Sequence, residues 1–193
     1  MSLSAIDQNN LAFSALFTTA KGAKQLPALS EDGHAIIWQP KDFVEVPFEP
    51  SAFNDPDANR VTICVSPSKS MCENITILDE WCIDNLTKDT TGLLGIQLSP
   101  TQVRERYVSC LKTSEDKGYA TLRMKMNRSG KYALQCYNSD KERCVHPDTW
   151  KGVKIQPRIA FKGLWIMGKD FGAMMECTHA MVEEGGDTGE CPF

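Results

Sequence analysis

The residues with most chemistry to offer are cations interleaved with aromatics between positions 119 and 169. Tyr119-Ala-Thr-Leu-Arg-Met-Lys-Met126 alternates strictly, with Ala120, Leu122, Met124 and Met126 on one side and Tyr119, Thr121, Arg123 and Lys125 on the other. That is the period of a half-buried strand, so Arg123 and Lys125 share a face with Tyr119. A glycine turn, Asn127-Arg-Ser-Gly130, leads to Lys131-Tyr-Ala-Leu-Gln-Cys-Tyr137, which reads as the return strand of a hairpin. It places Lys131 and Tyr137 on one face. Trp150, Lys151, Lys154, Arg158 and Lys162 follow. Cations track phosphates, and aromatic faces stack exposed bases at about 1–3 kcal/mol each. This mixture suits sequence-tolerant binding of a single-stranded polyanion. Trp150, flanked by Thr149 and Lys151 in a polar loop, is the expected stacking tryptophan. Trp38, Trp81 and Trp165 read as packing residues.

Two other chemistries compete with this one. Cys136, Cys144 and His146, with Cys177 or His179 as a fourth donor, offer soft metal ligands, but zinc sites show tighter paired spacing. Separate buried thiols are the favoured reading, so no metal or cofactor is expected. His34, His146 and His179 sit in unrelated contexts, and no phosphate loop, dinucleotide-binding glycine pattern or nucleophile motif occurs. The expectation is a binding protein rather than an enzyme.

Charge is divided along the chain. Residues 1–100 hold 6 Lys/Arg against 13 Asp/Glu, residues 101–169 hold 15 against 6, and residues 170–193 hold none against 6. A basic middle followed by an acidic arm is the pattern of an arm that shields a polyanion-binding surface. The arm, with Glu183, Glu184, Asp187 and Glu190, is loosened by glycine and closes in Pro192-Phe193. It suits a docking peptide with an aromatic tip or a competitor for a basic groove.

The elements that must position these residues are mostly strands. Ala35–Trp38, Phe43–Phe48 and Arg60–Val65 are β-rich. Asn74–Trp81 begins strand-like, or a helix starts at Asp79 and runs through Trp81, Ile83 and Leu86. Ser99–Lys112 is the strongest helix signal, with Ser99 as cap, Pro100 in the first position and Val103, Tyr107, Cys110 and Leu111 on one face. Gly152–Met167 and Ala173–Val182 are the last strands, with a tight turn at Gly168–Gly172. The order predicts a mainly β chain, an OB-type antiparallel barrel with an inserted helix and flexible termini. Residues 1–25 are expected to be a leader, 26–182 the nucleic-acid-binding domain and 183–193 the tail. No apolar run is long enough to span a bilayer. Eight scattered cysteines without a secretion signal point to reduced thiols and an intracellular chain.

Two stretches resemble a known family. The acidic Pro192-Phe193 tail is similar to the tip of bacterial single-stranded DNA-binding proteins and to the tail of phage replication proteins. Ile159-Ala-Phe-Lys-Gly-Leu-Trp-Ile-Met-Gly-Lys-Asp-Phe-Gly172 resembles the last hairpin of single-stranded DNA-binding proteins from phages and large DNA viruses. The resemblance implies an OB-fold that coats replication, recombination or repair intermediates. It also implies that Phe193 addresses a polymerase, helicase or primase, and it leaves a homo-oligomer open. The alternative of a different class is a structural β-sandwich, a capsid or assembly protein that uses the tail for docking.

Overall fold

The computed structural model describes residues 7–20, 22–52, 55–114 and 119–183. Alternation drives most of it. In β6 (Arg60–Val65), Val61, Ile63 and Val65 are buried while Arg60 is exposed and Thr62 and Cys64 are half-buried. In β9 (Tyr119–Asn127), Leu122, Met124 and Met126 are buried while Arg123 and Lys125 are exposed. The two strands pair antiparallel along their length, with Arg60 opposite Asn127 and Val65 opposite Leu122. The other edge of β9 pairs with β8 (Leu111–Ser114).

The longest ladder is the hairpin of β12 (Lys154–Met167) and β13 (Asp170–Val182), turned at Gly168 with a φ of 61°. Two register shifts bend it, between Arg158 and Ile159 and between Phe161 and Leu164. At the second, Gly163 has a φ of 107°, and a Cβ there would lie 2.1 Å from the Leu26 carbonyl oxygen. Only glycine lets β3 (Lys24–Ser30) approach so closely. The free edge of β12 then takes three short partners in series, β3, β4 (Ile36–Trp38) and β5 (Val44–Glu45).

Within the span read as a leader, β1 (Leu11–Phe13) and β2 (Phe17–Thr18) both pair with β3. Phe13 also packs on Trp81, with ring centroids 4.9 Å apart.

The helices cap the sheet. Residues 69–88 form one helix, α1 (Lys69–Lys88), rather than a strand at Asn74. Met71, Ile75, Leu78, Cys82 and Leu86 recur at helical spacing and are all buried. Each large side chain among them contributes about 1.5–3 kcal/mol, more than the β preference of Ile75, Thr76 and Ile77 can oppose. Ser68 caps the helix by accepting from the Met71 N–H. A short α2 (Thr90–Leu94) follows. In α3 (Pro100–Arg106), Ser99 and Gln102 form a reciprocal capping box. This helix is shorter than predicted. Tyr107 turns extended and begins β7 (Tyr107–Val108), parallel to β13, while its hydroxyl donates to Asp79 at 2.6 Å.

The predicted hairpin partner of β9 is also different. After Gly130 the chain turns away, and β10 (Gln135–Tyr137) runs parallel to β13 and antiparallel to β11 (Arg143–Cys144). The fold is mainly β, as expected, with 41% of the described residues in strands and 20% in helices. Its ladder is not a closed antiparallel barrel. The described strands join one open network with three parallel pairs at β13, rather than the two stacked sheets of a sandwich. No described helix is long and apolar enough to cross a membrane.

Candidate nucleic-acid interface

The side chains that β6, β9, β12 and β13 turn away from the core lie on one face. The pairing of Cys64 with Arg123 and Thr62 with Lys125 sets two cations beside two small polar residues. Lys125 Nζ donates to Thr62 Oγ1 at 2.8 Å. Partial burial, and then the neighbouring Arg60 guanidinium, hold this ammonium below the usual lysine range. Arg60 reaches across to β13, where its Nη2 lies 3.1 Å from Glu176 Oε2. Glu176 is itself the residue that bridges β13 to Lys125 of β9.

Three clefts run along this face. The first, about 780 Å³, is lined by Phe48, Lys112, Arg123, Lys125 and Trp165 among others. The second, about 600 Å³, shares Gln25, Arg60 and Met174 with it and adds Phe17 and Lys162. The third, about 490 Å³, shares Arg60, Lys162 and Glu176 with the second and adds Lys131 and Tyr132. Shared walls make them one groove with cations along its length and exposed rings at intervals. Phe17, Phe48 and Tyr132 are exposed, and Lys131 Nζ sits 5.5 Å from the Tyr132 ring centroid. Trp165 is half-buried opposite Gly172. A Cβ at Gly172 would stand 3.1 Å from the indole and 2.1 Å from the Val108 carbonyl oxygen. Glycine there seats the indole edge and admits β7 together.

Of the residues predicted from sequence, Arg123, Lys125, Lys131 and Lys162 come together in this groove. Arg158 and Tyr137 lie at the far end of the β12/β13 hairpin. There the Tyr137 ring stacks on His179 at 6.0 Å, and Arg158 Nη1 is 3.5 Å from His179 Nδ1. Burial, followed by the Arg158 charge, lowers the His179 pKa. Lys154 is paired with Glu183 at 3.2 Å. Lys151 lies exposed in a turn whose backbone N–H groups, from Trp150 and Lys151, donate to Glu49 Oε1 at 2.9 Å.

Trp150 is not the exposed stacking residue expected from its polar flanks. Its ring is 6% exposed and meets the edge of His146, so it is a core residue and has no face to offer a base. The polar flanks that suggested exposure belong to the Glu49-capped turn. The backbone of Tyr119 pairs with Ser114, and its side chain lies outside those described. Glu184, Asp187, Glu190, Pro192 and Phe193 also lie outside the described residues.

Sequence reasoning missed Arg60, Lys112, Phe17, Phe48, Tyr132 and Glu176, and it assigned Trp165 to the core. Arg60 was findable, because it opens a strand with the same alternation as β9.

The metal alternative finds no assembled donor set. Cys136 and Cys144 face each other across β10 and β11. His146 Nε2 is instead 2.7 Å from the Leu134 carbonyl oxygen. Burial, and then the neighbouring Cys144, push the Cys136 thiol up to about 12. Among the described residues no three His, Cys, Asp or Glu side chains gather.

No protein-family model matches this chain, and no curated protein matches it in sequence. Among solved structures it is similar to gp2.5, a single-stranded DNA-binding protein encoded by bacteriophage T7, at 12% identity and a TM-score of 0.50. That match covers 77% of this chain and 91% of the phage protein. It is also similar to the single-stranded DNA-binding protein of bacteriophage Enc34 in complex with single-stranded DNA. There the identity is 12% and the TM-score 0.48, over 87% and 93% of the two chains. The likeness to phage single-stranded DNA-binding proteins expected from the last hairpin holds at the level of fold.

Proposed function

We propose that this chain is a non-enzymatic, sequence-tolerant single-stranded DNA-binding protein that holds the strand along the outward face of β6, β9, β12 and β13. The observation that carries this reading is the continuous groove, in which cations alternate with exposed rings. Lys112, Arg123, Lys125, Lys131 and Lys162 hold phosphates. Phe17, Phe48, Tyr132 and Trp165 stack bases, which every base tolerates because each has a π-face. The fold shared with the phage protein supports this reading. Arg158 and Tyr137 extend the same face at its far end.

Tryptophan fluorescence during titration with oligo-dT, repeated across a salt series, tests the proposal. Saturable quenching that weakens steeply with salt, and exceeds that produced by duplex, is expected. No change at low salt, with a parallel polarisation assay also flat, overturns it.

The acidic segment 183–193 competes with DNA for the groove and recruits replication partners, a polymerase, helicase or primase, to replication, recombination or repair intermediates. Deleting residues 183–193 should tighten DNA binding at low salt and abolish recruitment. Unchanged affinity and recruitment would count against this role.

A further inference from the structure

The second cleft contains a group that phosphate binding does not explain. Glu176 is a carboxylate in the middle of a cationic groove, with its side chain 11% exposed, and it lines both the second and third clefts. A carboxylate there repels phosphate, and its ion pair with Arg60 does not use its full acceptor capacity. Its surroundings suit a base. Phe17, Pro27 and Met174 give the cleft apolar walls, and Arg60, Gln25 and Glu176 give it polar groups. Lys162 adds a cation to the same lining. A volume of about 600 Å³ is ample for a flat heterocycle.

The order of the polar groups decides which heterocycle. Arg60 Nη2 lies 3.1 Å from Glu176 Oε2, which sets the guanidinium beside the two oxygens of the carboxylate. The wall therefore presents a donor, an acceptor and a second acceptor in sequence. The Watson–Crick edge of guanine is the complement, with the O6 acceptor, the N1–H donor and the N2–H donor in the same order. Thymine sets its O2 carbonyl against Oε1. Cytosine presents two acceptors and one amino donor. Adenine has an amino group and a ring acceptor but no second N–H.

We propose that this cleft receives one guanine of the bound strand, with Glu176 accepting from N1–H and N2–H and Arg60 donating to O6. The proposal rests on the single-stranded DNA-binding reading and adds one base-selective position to an otherwise tolerant groove.

The test uses the full chain and three strands of equal length: alternating dG-dT, alternating dI-dT and oligo-dT. Inosine keeps O6 and N1–H but lacks the N2 amino group. Competition is read by polarisation. The dG-dT strand is expected to bind about tenfold more tightly than oligo-dT, since a good bidentate base contact discriminates by that order. The dI-dT strand should lose most of the gain. In Glu176→Gln the dG-dT advantage should collapse, whereas Glu73→Gln, on the exposed side of α1, should keep it. Equal affinity for the three strands overturns the guanine site while leaving strand binding in place. A dI-dT strand as tight as dG-dT overturns the N2–H contact, and a dG-dT advantage that survives in Glu176→Gln overturns the carboxylate's role. Failure to bind any strand overturns the site together with the function it rests on.

Discussion

Removing the two outward cations of β9 should change the salt dependence of binding by a calculable amount. Arg123 and Lys125 point into the groove from adjacent outward positions, and neither forms an ion pair among the described residues. Among the described residues six cations line the three clefts: Arg60, Lys112, Arg123, Lys125, Lys131 and Lys162. Arg60 is engaged by Glu176, which leaves five for phosphates. Each phosphate neutralised on a single strand contributes about 0.7 to the slope of log affinity against log salt, so the slope should be about −3.5. For Arg123→Ala/Lys125→Ala it should be about −2.1. A fourfold rise in salt then costs the wild type roughly 130-fold in affinity and the variant roughly 20-fold. Polarisation of labelled oligo-dT over a salt series gives both slopes. A thermal melt checks that the lost Lys125–Thr62 hydrogen bond, worth about 1 kcal/mol, has not unfolded the variant. If the double variant kept the wild-type slope, the β9 face would not be where phosphates are neutralised.

The two tryptophans should separate stability from binding. Trp150→Ala is expected to cost about 3–5 kcal/mol of stability, read by denaturant unfolding, and to leave the salt slope unchanged. Trp165→Ala should cost about 1–3 kcal/mol of oligo-dT affinity, read by the same polarisation assay. A third prediction concerns Asp79, where burial raises the carboxyl above the usual aspartate range against the opposing Ser109 and Tyr107 hydrogen bonds. The folded chain keeps that proton to a higher pH than the unfolded chain, whose aspartate titrates near about 3.9. The stability this group adds is therefore full below the unfolded value and lost as pH rises through the folded one. The Tm of wild type relative to Asp79→Asn should fall as pH is raised from about 4, and a difference flat in pH would contradict the assignment.

What could be read from the sequence was local. The alternation of Leu122, Met124 and Met126 against Arg123 and Lys125 is a property of eight consecutive residues, and the structure keeps it. The Ser99 cap is equally local, and so is the turn at Gly168. What could not be read depends on distant pairing. Arg60 meets Lys125 only because β6 lies against β9, and it meets Glu176 only because β9 bridges to β13. Lys131 lines the groove although the expected pairing of its segment does not form, since the chain after Gly130 joins β13 instead of β9. Within α1, Asn74-Ile-Thr-Ile77 favours a strand by composition, and burial of the Met71, Ile75, Leu78, Cys82 and Leu86 stripe overrides it. Trp150 misled because flanking polarity does not report where a ring points. The Thr149, Trp150 and Lys151 contacts to Glu49, 100 residues or more away in sequence, hold the turn that buries it.

The proposed path of the single strand runs over the outward face of β6, β9, β12 and β13. Photocrosslinking with oligo-dU carrying a halogenated base, followed by mass spectrometry of the modified residues, tests it most directly. Crosslinks at Phe17, Phe48, Tyr132 or Trp165, competed by unlabelled oligo-dT but not by duplex, are the predicted result. Crosslinks confined to α1 and α3, or none at saturating strand, would contradict it.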